Sequence, residues 1–530
     1  MIRTDLIAPM GELLRRHAAL RPDKIAFEDS FGAAVTYRRL ESLSANLAGN
    51  LQDRGLETGD AVAILLPNSV NWVLSCAAIA RAGAISVPIS HDAVEAEIRY
   101  RLEDARCRAV VVSARHLPLI ERLRADLPSL THVIVAGAGV ATEQPSLADL
   151  AQSAARSVPR DPQDITATAF LVYTSGTTGR AKGVMLSLHG MLWVTAACWA
   201  PITGLNESDA LLSPLPLFHS YALNLCVLSV LATGASGFLL ERFSTQEVAQ
   251  RLQGGQYTLM AGVPTMFHYL LENARASGSA KVTGIRYLIS AGAILPALLN
   301  RDFEAAFNVP LLDGYGITET STMVTMNWPG CSRLPGSCGL PLPGLATRII
   351  DADGHDVPQG AEGQLIVRGP NLMQGYLNKP KETAEALAGG WYRTGDLARS
   401  DANGFLTITG RLKELIIRGG QNIAPAEIEE AVLSHPDVLD CAVFGLPHRH
   451  LGEVPVVCVV PRAGRAIDPV SVRERCGTLL SAYKVPHSVY VVDTIPRTGS
   501  GKIMRFKLRD AIGACSVQET PDRPQSSRDV

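Results

Sequence analysis

The stretch YTSGTTGRAKGVMLS, Tyr173 to Ser187, sets Thr174, Ser175, Thr177 and Thr178 among Gly176, Gly179 and Gly183 and adds Arg180 and Lys182. Glycine reaches backbone angles closed to other residues and lets a chain approach a ligand closely. Hydroxyls and free N–H groups bind phosphate oxygens, and a lysine supplies the countercharge. A polyphosphate cradle is the chemistry this composition suits. The stretch follows the apolar run ATAFLV, which reads as a buried strand, so a rigid element would aim the loop.

Two familiar nucleotide motifs are excluded by spacing. A P-loop needs G-x-x-x-x-G-K-[ST]. GTTGRAKG has the wrong glycine-to-lysine distance. PRTGSGKI does hold Gly501 and Lys502, but Pro496 stands where the first glycine belongs and Ile503 replaces the metal-binding hydroxyl. No G-x-G-x-x-G follows a strand and opens a helix. The chemistry is neither that of a P-loop NTPase nor that of a dinucleotide oxidoreductase.

Taken in order, YTSGTTGRAKGV, DGYGITET (313–320), YRTGD (392–396), GRLKELIIRGGQNIAPAEIE (410–429) and PRTGSGKI (496–503) resemble the signatures of adenylate-forming enzymes. That superfamily includes acyl- and aryl-CoA synthetases, which the chain resembles most, the adenylation domains of peptide synthetases, and firefly-type luciferases. The resemblance runs from the first helix to about residue 510.

It implies an AMP-forming acid–thiol ligase: ATP converts a carboxylate to an acyl-adenylate, pyrophosphate leaves, and the acyl group passes to a thiol. The implied cofactors are ATP, Mg2+ and CoA, and the implied partner is a small-molecule carboxylic acid. Two anions must meet in line in the first step, so cations and preorganised donors have to offset their repulsion. On this likeness Thr174, Ser175, Gly176, Thr177, Thr178, Gly179 and Lys182 hold the β- and γ-phosphates, with Thr174 counted among the catalytic groups. Asp313, Gly314, Tyr315 and Gly316 form the adenine slot, Thr318 adds a nucleotide contact, and Glu319 is the magnesium ligand. Asp313 departs from the amide or glutamate expected before GYG. Asp396 accepts from the ribose hydroxyls, and Arg411 helps to hold the same sugar. Lys502, on its glycine-flanked loop, is the catalyst. Lys413 is the implied hinge, and Gly419 and Gly420 line a CoA tunnel.

His219 in PLPLFHSYALN bears on the acid. Peptide-synthetase domains resemble this region but carry an aspartate that pairs the substrate ammonium, whereas no acidic residue occurs here between Ser213 and Leu240. An acid without an α-amino group is therefore expected, bound by His219, Tyr221, Ala291 and Gly292. Loading of a carrier protein's phosphopantetheine arm is an alternative second step. A catalytically inactive nucleotide-binding protein is an alternative from another class, against which Lys502, Glu319 and Asp396 speak.

The elements that must position these residues are legible in the apolar pattern. AVAILL, AVVVS, HVIVA, AFLVY and YLISAG alternate with helical stretches, which argues for an α/β fold with layered, mostly parallel sheets. Past about residue 340, TRIIDADGHDVP, GQLIVRG and GFLTITG read as a small β-rich subdomain. The expected division is an AMP-binding domain over 1–412, a small mobile α+β C-terminal domain over 413–514, and a polar, disordered tail over 515–530. The run LCVLSVLATGASGFLL, 225–240, falls short of the ~20 residues of a membrane span and is broken by TGASG; it reads as helix, glycine turn and strand.

At 47% apolar and 19% charged residues the chain suits a globular protein with a large core. Its 49 Lys and Arg balance 51 Asp and Glu, which gives no support for a nucleic-acid or membrane partner. The N-terminus lacks a secretory apolar core. Ten cysteines without a C-x-x-C pair read as reduced thiols of a cytoplasmic enzyme.

Overall fold

Alternate residues of the strand Ala61–Leu65 serve different cores: Val62 and Ile64 join one, while Ala61, Ala63 and Leu65 join another. A strand buried on both faces is what a parallel sheet covered by helices requires. The computed structural model describes residues 1–137, 142–174, 181–498 and 502–514. Among these the chain packs as two compact units, Met1–Ile408 and a second that begins at Thr409. The expected boundary between 412 and 413 falls a few residues further on, and the 515–530 tail lies outside the described residues.

The first unit holds two large sheets and a small one. Among the described residues, one sheet runs Gly375–Tyr376, Lys182–Ser187, Thr168–Thr174, Ile85–Pro88, Ala61–Leu65, Ala109–Ser113, His132–Ala136. Its last five strands are parallel, and the first three pair antiparallel. The second large sheet has a parallel centre, in the order Leu311–Tyr315, Tyr287–Ser290, Leu259–Gly262, Ala210–Ser213, Ser236–Leu239, Ile25–Asp29. Helices such as Met10–Leu20, Tyr37–Asp53 and Val70–Arg81 share one apolar core with the inner faces of both sheets, where Leu13, Leu14, Leu40 and Trp72 are sealed from solvent. Four strands, Ala346–Ile350, Gly363–Arg368, Tyr392–Ser400 and Leu406–Arg411, make the small sheet expected past residue 340.

The 225–240 run resolves as expected. A continuous helical stretch ends at Thr233, Gly234 takes a φ of 76° at its C-cap, and the strand Ser236–Leu239 follows. Glycine adopts that left-handed angle at no steric cost. Among the described residues no helix is long and apolar enough to cross a membrane, and nine cysteines are free thiols.

The second unit is an α+β body. Its sheet runs Gln421–Ile423, Ile416–Arg418, Gly452–Pro461, Val438–His448, with Ser488–Val491 parallel to Gly452–Pro461. The helices Pro425–Leu433 and Pro469–Leu479 cover one face and Arg505–Ala514 the other.

Candidate active site

The strand Thr168–Thr174 leads into the glycine-rich stretch, and Lys182 opens the strand that follows it. Antiparallel register sets Thr174 opposite Lys182 and Tyr173 opposite Gly183, so the two ends of the loop meet. Ser175, Gly176, Thr177, Thr178 and Gly179 lie outside the described residues. Lys182 Nζ stands 4.8 Å from the centroid of the Tyr376 ring, a cation–π distance. The Tyr376 hydroxyl donates to Glu319 Oε1 at 3.0 Å and lies 3.4 Å from the Tyr392 hydroxyl. One tyrosine thus gathers a cation and a carboxylate that are remote in sequence. Burial, and then the charge of Glu319, pushes both phenols above their ordinary range, so both stay protonated. Glu319 is a half-buried carboxylate with one oxygen oriented by a phenol, a donor set that fits a hard cation such as Mg2+.

The turn carrying Glu319 is strained. After the 3-10 turn Thr318–Thr320, Ser321 has a φ of 50° and Thr322 a φ of 116°. A β-branched residue at such an angle is an outlier, and strain of this kind costs about 1–3 kcal/mol per residue. Close packing explains it: a Cβ built on Gly316 would lie 1.4 Å from the Thr322 carbonyl oxygen, so the two backbones touch only because residue 316 is glycine. Buried polar groups hold the turn. The Asn371 amide donates to the carbonyls of Thr320 and Met323 at 2.7 and 2.9 Å. Thr322 Oγ1 donates to Ser220 O at 3.0 Å, and Ser220 Oγ shares a hydrogen bond with Thr318 Oγ1 at 3.1 Å.

Asp313, Gly314 and Tyr315 end the strand Leu311–Tyr315 at its carboxyl edge, where open α/β sheets bind ligands. A Cβ at Gly314 would meet Met323 Cε at 2.5 Å and Met326 Cε at 2.9 Å, so a larger residue there would have to displace two methionine side chains. Asp313 is buried, and burial pushes its carboxyl well above the usual carboxylate range, with a hydrogen bond from the Gly314 amide countering. The Tyr315 hydroxyl donates to Asp396 Oδ2 at 2.5 Å. Two residues assigned to different parts of one nucleotide are therefore in direct contact. Asp396 itself is 1% exposed and its backbone amide donates to Thr394 Oγ1 at 3.0 Å.

His219 stands at the N-cap of the helical stretch that starts at Ser220, its ring 4.6 Å from that of Phe218. The Tyr221 hydroxyl reaches across to Ile289 O at 3.3 Å, and its ring stacks on Trp199 with centroids 6.3 Å apart. Trp199 ends one π-helical turn and Tyr221 precedes another, a local irregularity frequent at functional sites. Trp199 Nε1 donates to Asn224 Oδ1 at 2.6 Å. Ala291 follows the strand Tyr287–Ser290 and donates its amide to Gly262 O at 3.2 Å; Gly292 turns away at a φ of 88°.

The remaining expected residues belong to the second unit. Arg411 ends the strand Leu406–Arg411, and Lys413 sits in the 3-10 turn Leu412–Glu414. Gly419 and Gly420, at φ 57° and 82°, join the strands Ile416–Arg418 and Gln421–Ile423. A two-residue hairpin of this type needs positive φ at both positions, which gives the glycines a local reason of their own. Lys502 is exposed. Its loop is closed at the base by Thr498 N donating to Lys502 O at 2.8 Å and Lys502 N donating to Thr498 Oγ1 at 3.2 Å. Arg505 braces the loop's far end, donating to Glu414 at 3.0 Å, Glu429 at 2.6 Å and Val443 O at 2.8 Å.

Sequence reasoning did not single out Tyr376, Asn371, Asn224 or Trp199. Tyr392 was visible only as the first letter of YRTGD. No spacing or period marks these residues, because each acts across elements far apart in the chain.

A layered α/β fold in which one tyrosine gathers Lys182, opposite the end of the strand Thr168–Thr174, and Glu319, just past the strand Leu311–Tyr315, matches an adenylate-forming ligase. The chain belongs to the AMP-binding enzyme family. The family model matches residues 14–377, and that of the AMP-binding enzyme C-terminal domain matches residues 427–502. The chain is 34% identical to an indoleacetate–CoA ligase of Aromatoleum aromaticum over 96% of its own length and 99% of the relative's. It is 32% identical to a long-chain-fatty-acid–CoA ligase of Mycobacterium tuberculosis, covering 95% and 99%. Among solved structures it resembles an anthranilate CoA ligase in complex with anthranoyl-AMP, with a TM-score of 0.91 and 28% identity over 97% of this chain and 100% of that one.

Proposed function

We propose that this ligase adenylates a compact aromatic carboxylic acid without an α-amino group and passes the acyl group to CoA. The observation that carries the choice of acid is Tyr221. Its ring is backed by Trp199 and its hydroxyl is bonded to Ile289 O, so a flat aromatic wall crosses from the His219 helix to the strand Tyr287–Ser290. Aromatic rings favour offset-stacked or edge-on partners. The missing acid between Ser213 and Leu240 leaves a substrate ammonium without a partner.

The remaining roles follow from charge. Thr174 and Lys182, at the two ends of the glycine loop, hold the β- and γ-phosphates. Glu319 would hold Mg2+, which supplies countercharge to the phosphates when bound. Tyr376 keeps the Glu319 carboxylate aimed while Lys182 stacks on the same ring. Asp396 holds the ribose, with Tyr315 giving up or sharing its hydrogen bond, and Arg411 assists. Lys502 offsets the charge that develops as the carboxylate attacks the α-phosphorus. Pyrophosphate leaves, and the CoA thiol then attacks the acyl carbon with AMP as the leaving group.

The test is pyrophosphate exchange across an acid panel, followed by thioester formation with CoA. Benzoate, phenylacetate and cinnamate types are expected to exceed saturated chains, and α-amino acids to give no exchange. Palmitate outperforming every aromatic acid, or robust exchange with an amino acid, would overturn the assignment.

A further inference from the structure

Asn371 lies between the strand Gly363–Arg368 and the short strand Gly375–Tyr376, fully sealed from solvent. Both hydrogens of its amide are committed to one task. They go to the carbonyls of Thr320 and Met323, the residues on either side of the strained pair Ser321–Thr322. Its own oxygen, Oδ1, is buried and has no hydrogen-bond partner among the described residues. An unpaired buried acceptor is unfavourable, so the side chain is held there for its two donors.

The same segment continues the grip. Met373 N donates to Glu319 O at 2.8 Å, and the Tyr376 hydroxyl holds the Glu319 carboxylate. Residues in sparsely populated backbone regions persist only where their surroundings over-determine them. Here a two-pronged amide closes the turn behind Glu319, a main-chain bond fixes the carbonyl of Glu319, and a phenol fixes its carboxylate. Aspartate at 371 would face two carbonyls with no donor to offer, and leucine would leave both carbonyls unpaired.

We infer that Asn371 is a positioning residue for Glu319, acting as an amide clip that holds the strained turn so that the carboxylate faces the nucleotide's metal. The inference rests on the proposed role of Glu319 and adds a residue that touches neither substrate nor metal. It separates from a purely structural role through Asn50, which lies outside the site. Asn50 is likewise a buried amide, donating to Leu150 O and Ser153 O at 2.9 Å each.

The experiment compares Asn371→Leu, Asn50→Leu and Glu319→Gln for thermal midpoint, Mn2+ affinity of the protein–ATP complex by electron paramagnetic resonance, and Mg2+ dependence of pyrophosphate exchange. Loss of an outer-sphere orienting group weakens metal binding about 10–100-fold. Asn371→Leu is expected to weaken Mn2+ binding by about tenfold and to raise half-saturating Mg2+ by a similar factor, with KM for the acid within about twofold. Asn50→Leu is expected to lower the midpoint comparably and to leave both metal readouts unmoved. If Asn371→Leu moves the midpoint alone, as the control does, the clip is overturned while Glu319 keeps its role. If Glu319→Gln leaves Mn2+ binding unchanged, the Glu319 assignment fails and the inference falls with it. Should Asn371→Leu not fold, Asn371→Ser, which keeps one donor, is judged by the same two metal readouts.

Discussion

Asp313 carries its chemistry in its surroundings. Burial raises its carboxyl above the ordinary value of 3.8, so between the unfolded and the folded value the folded chain holds a proton that the unfolded chain has shed. Stability from this group is complete below the unfolded value and falls as pH rises through the folded one. Asp313→Asn removes that dependence, because an amide does not titrate. Its thermal midpoint is expected to exceed that of the parent at pH 8, with the gain shrinking toward pH 4.5. A gain of equal size at every pH would show that the carboxyl is not the cause. Lys502 should matter only while the acyl–phosphate bond forms, because its charge offsets the charge that develops there. Lys502→Ala is expected to slow adenylation by about a hundredfold to a thousandfold, roughly 2.7–4 kcal/mol of transition-state stabilisation. Thioester formation from a presynthesised acyl-adenylate is expected to stay near the parent rate. Equal loss in both steps would remove Lys502 from its assigned role.

At the scale of elements, the hairpin through Gly419 and Gly420 has two readings that one substitution separates. The turn needs positive φ at both residues whatever else it does. A leucine at 420 would therefore damage the hairpin and any pantetheine tunnel together. Asparagine tolerates the left-handed angle and still adds a side chain. A Cβ at Gly420 meets nothing within 4 Å, so the second unit has room for it. Gly420→Asn is expected to fold with an unchanged midpoint, to adenylate normally, and to lose most thioester formation with a raised KM for CoA. Normal kinetics in both steps would leave the glycines as turn residues only.

At the scale of the molecule, Lys502 belongs to the unit that begins at Thr409, whereas Thr174, Lys182 and Glu319 belong to the first. If Lys502 acts, as proposed, on a nucleotide held by the first unit, the chain has to bend between the units, and Lys413 in its 3-10 turn just past the division is the proposed joint. A few residues at an element's end can absorb a large backbone change. The Glu414–Arg505 ion pair at 3.0 Å ties the residue after Lys413 to the helix that follows Lys502. Lys413→Pro fixes one φ angle. It is expected to spare adenylate formation and abolish thioester formation in single-turnover measurements. Equal effects on both steps, or none, would end the two-pose reading at this joint.

The ordered motifs determined the family and the fold class and supplied the segments proposed to handle the nucleotide, because glycine loops, strand patterns and lysine spacing are local properties. The strands at AVAILL, AVVVS and HVIVA, and the helix, turn and strand at 225–240, were equally legible from period and glycine placement. Only the tertiary structure decided that Tyr376 joins Lys182 to Glu319, that Tyr315 rests on Asp396, and that Asn371 clips the turn at Ser321 and Thr322. Each of these is one hydrogen bond or ring contact between distant segments, made possible by sheet register and close glycine packing. A single such contact leaves no period in the sequence, and the close approach of the Thr322 carbonyl to Gly316 exists only in the folded chain.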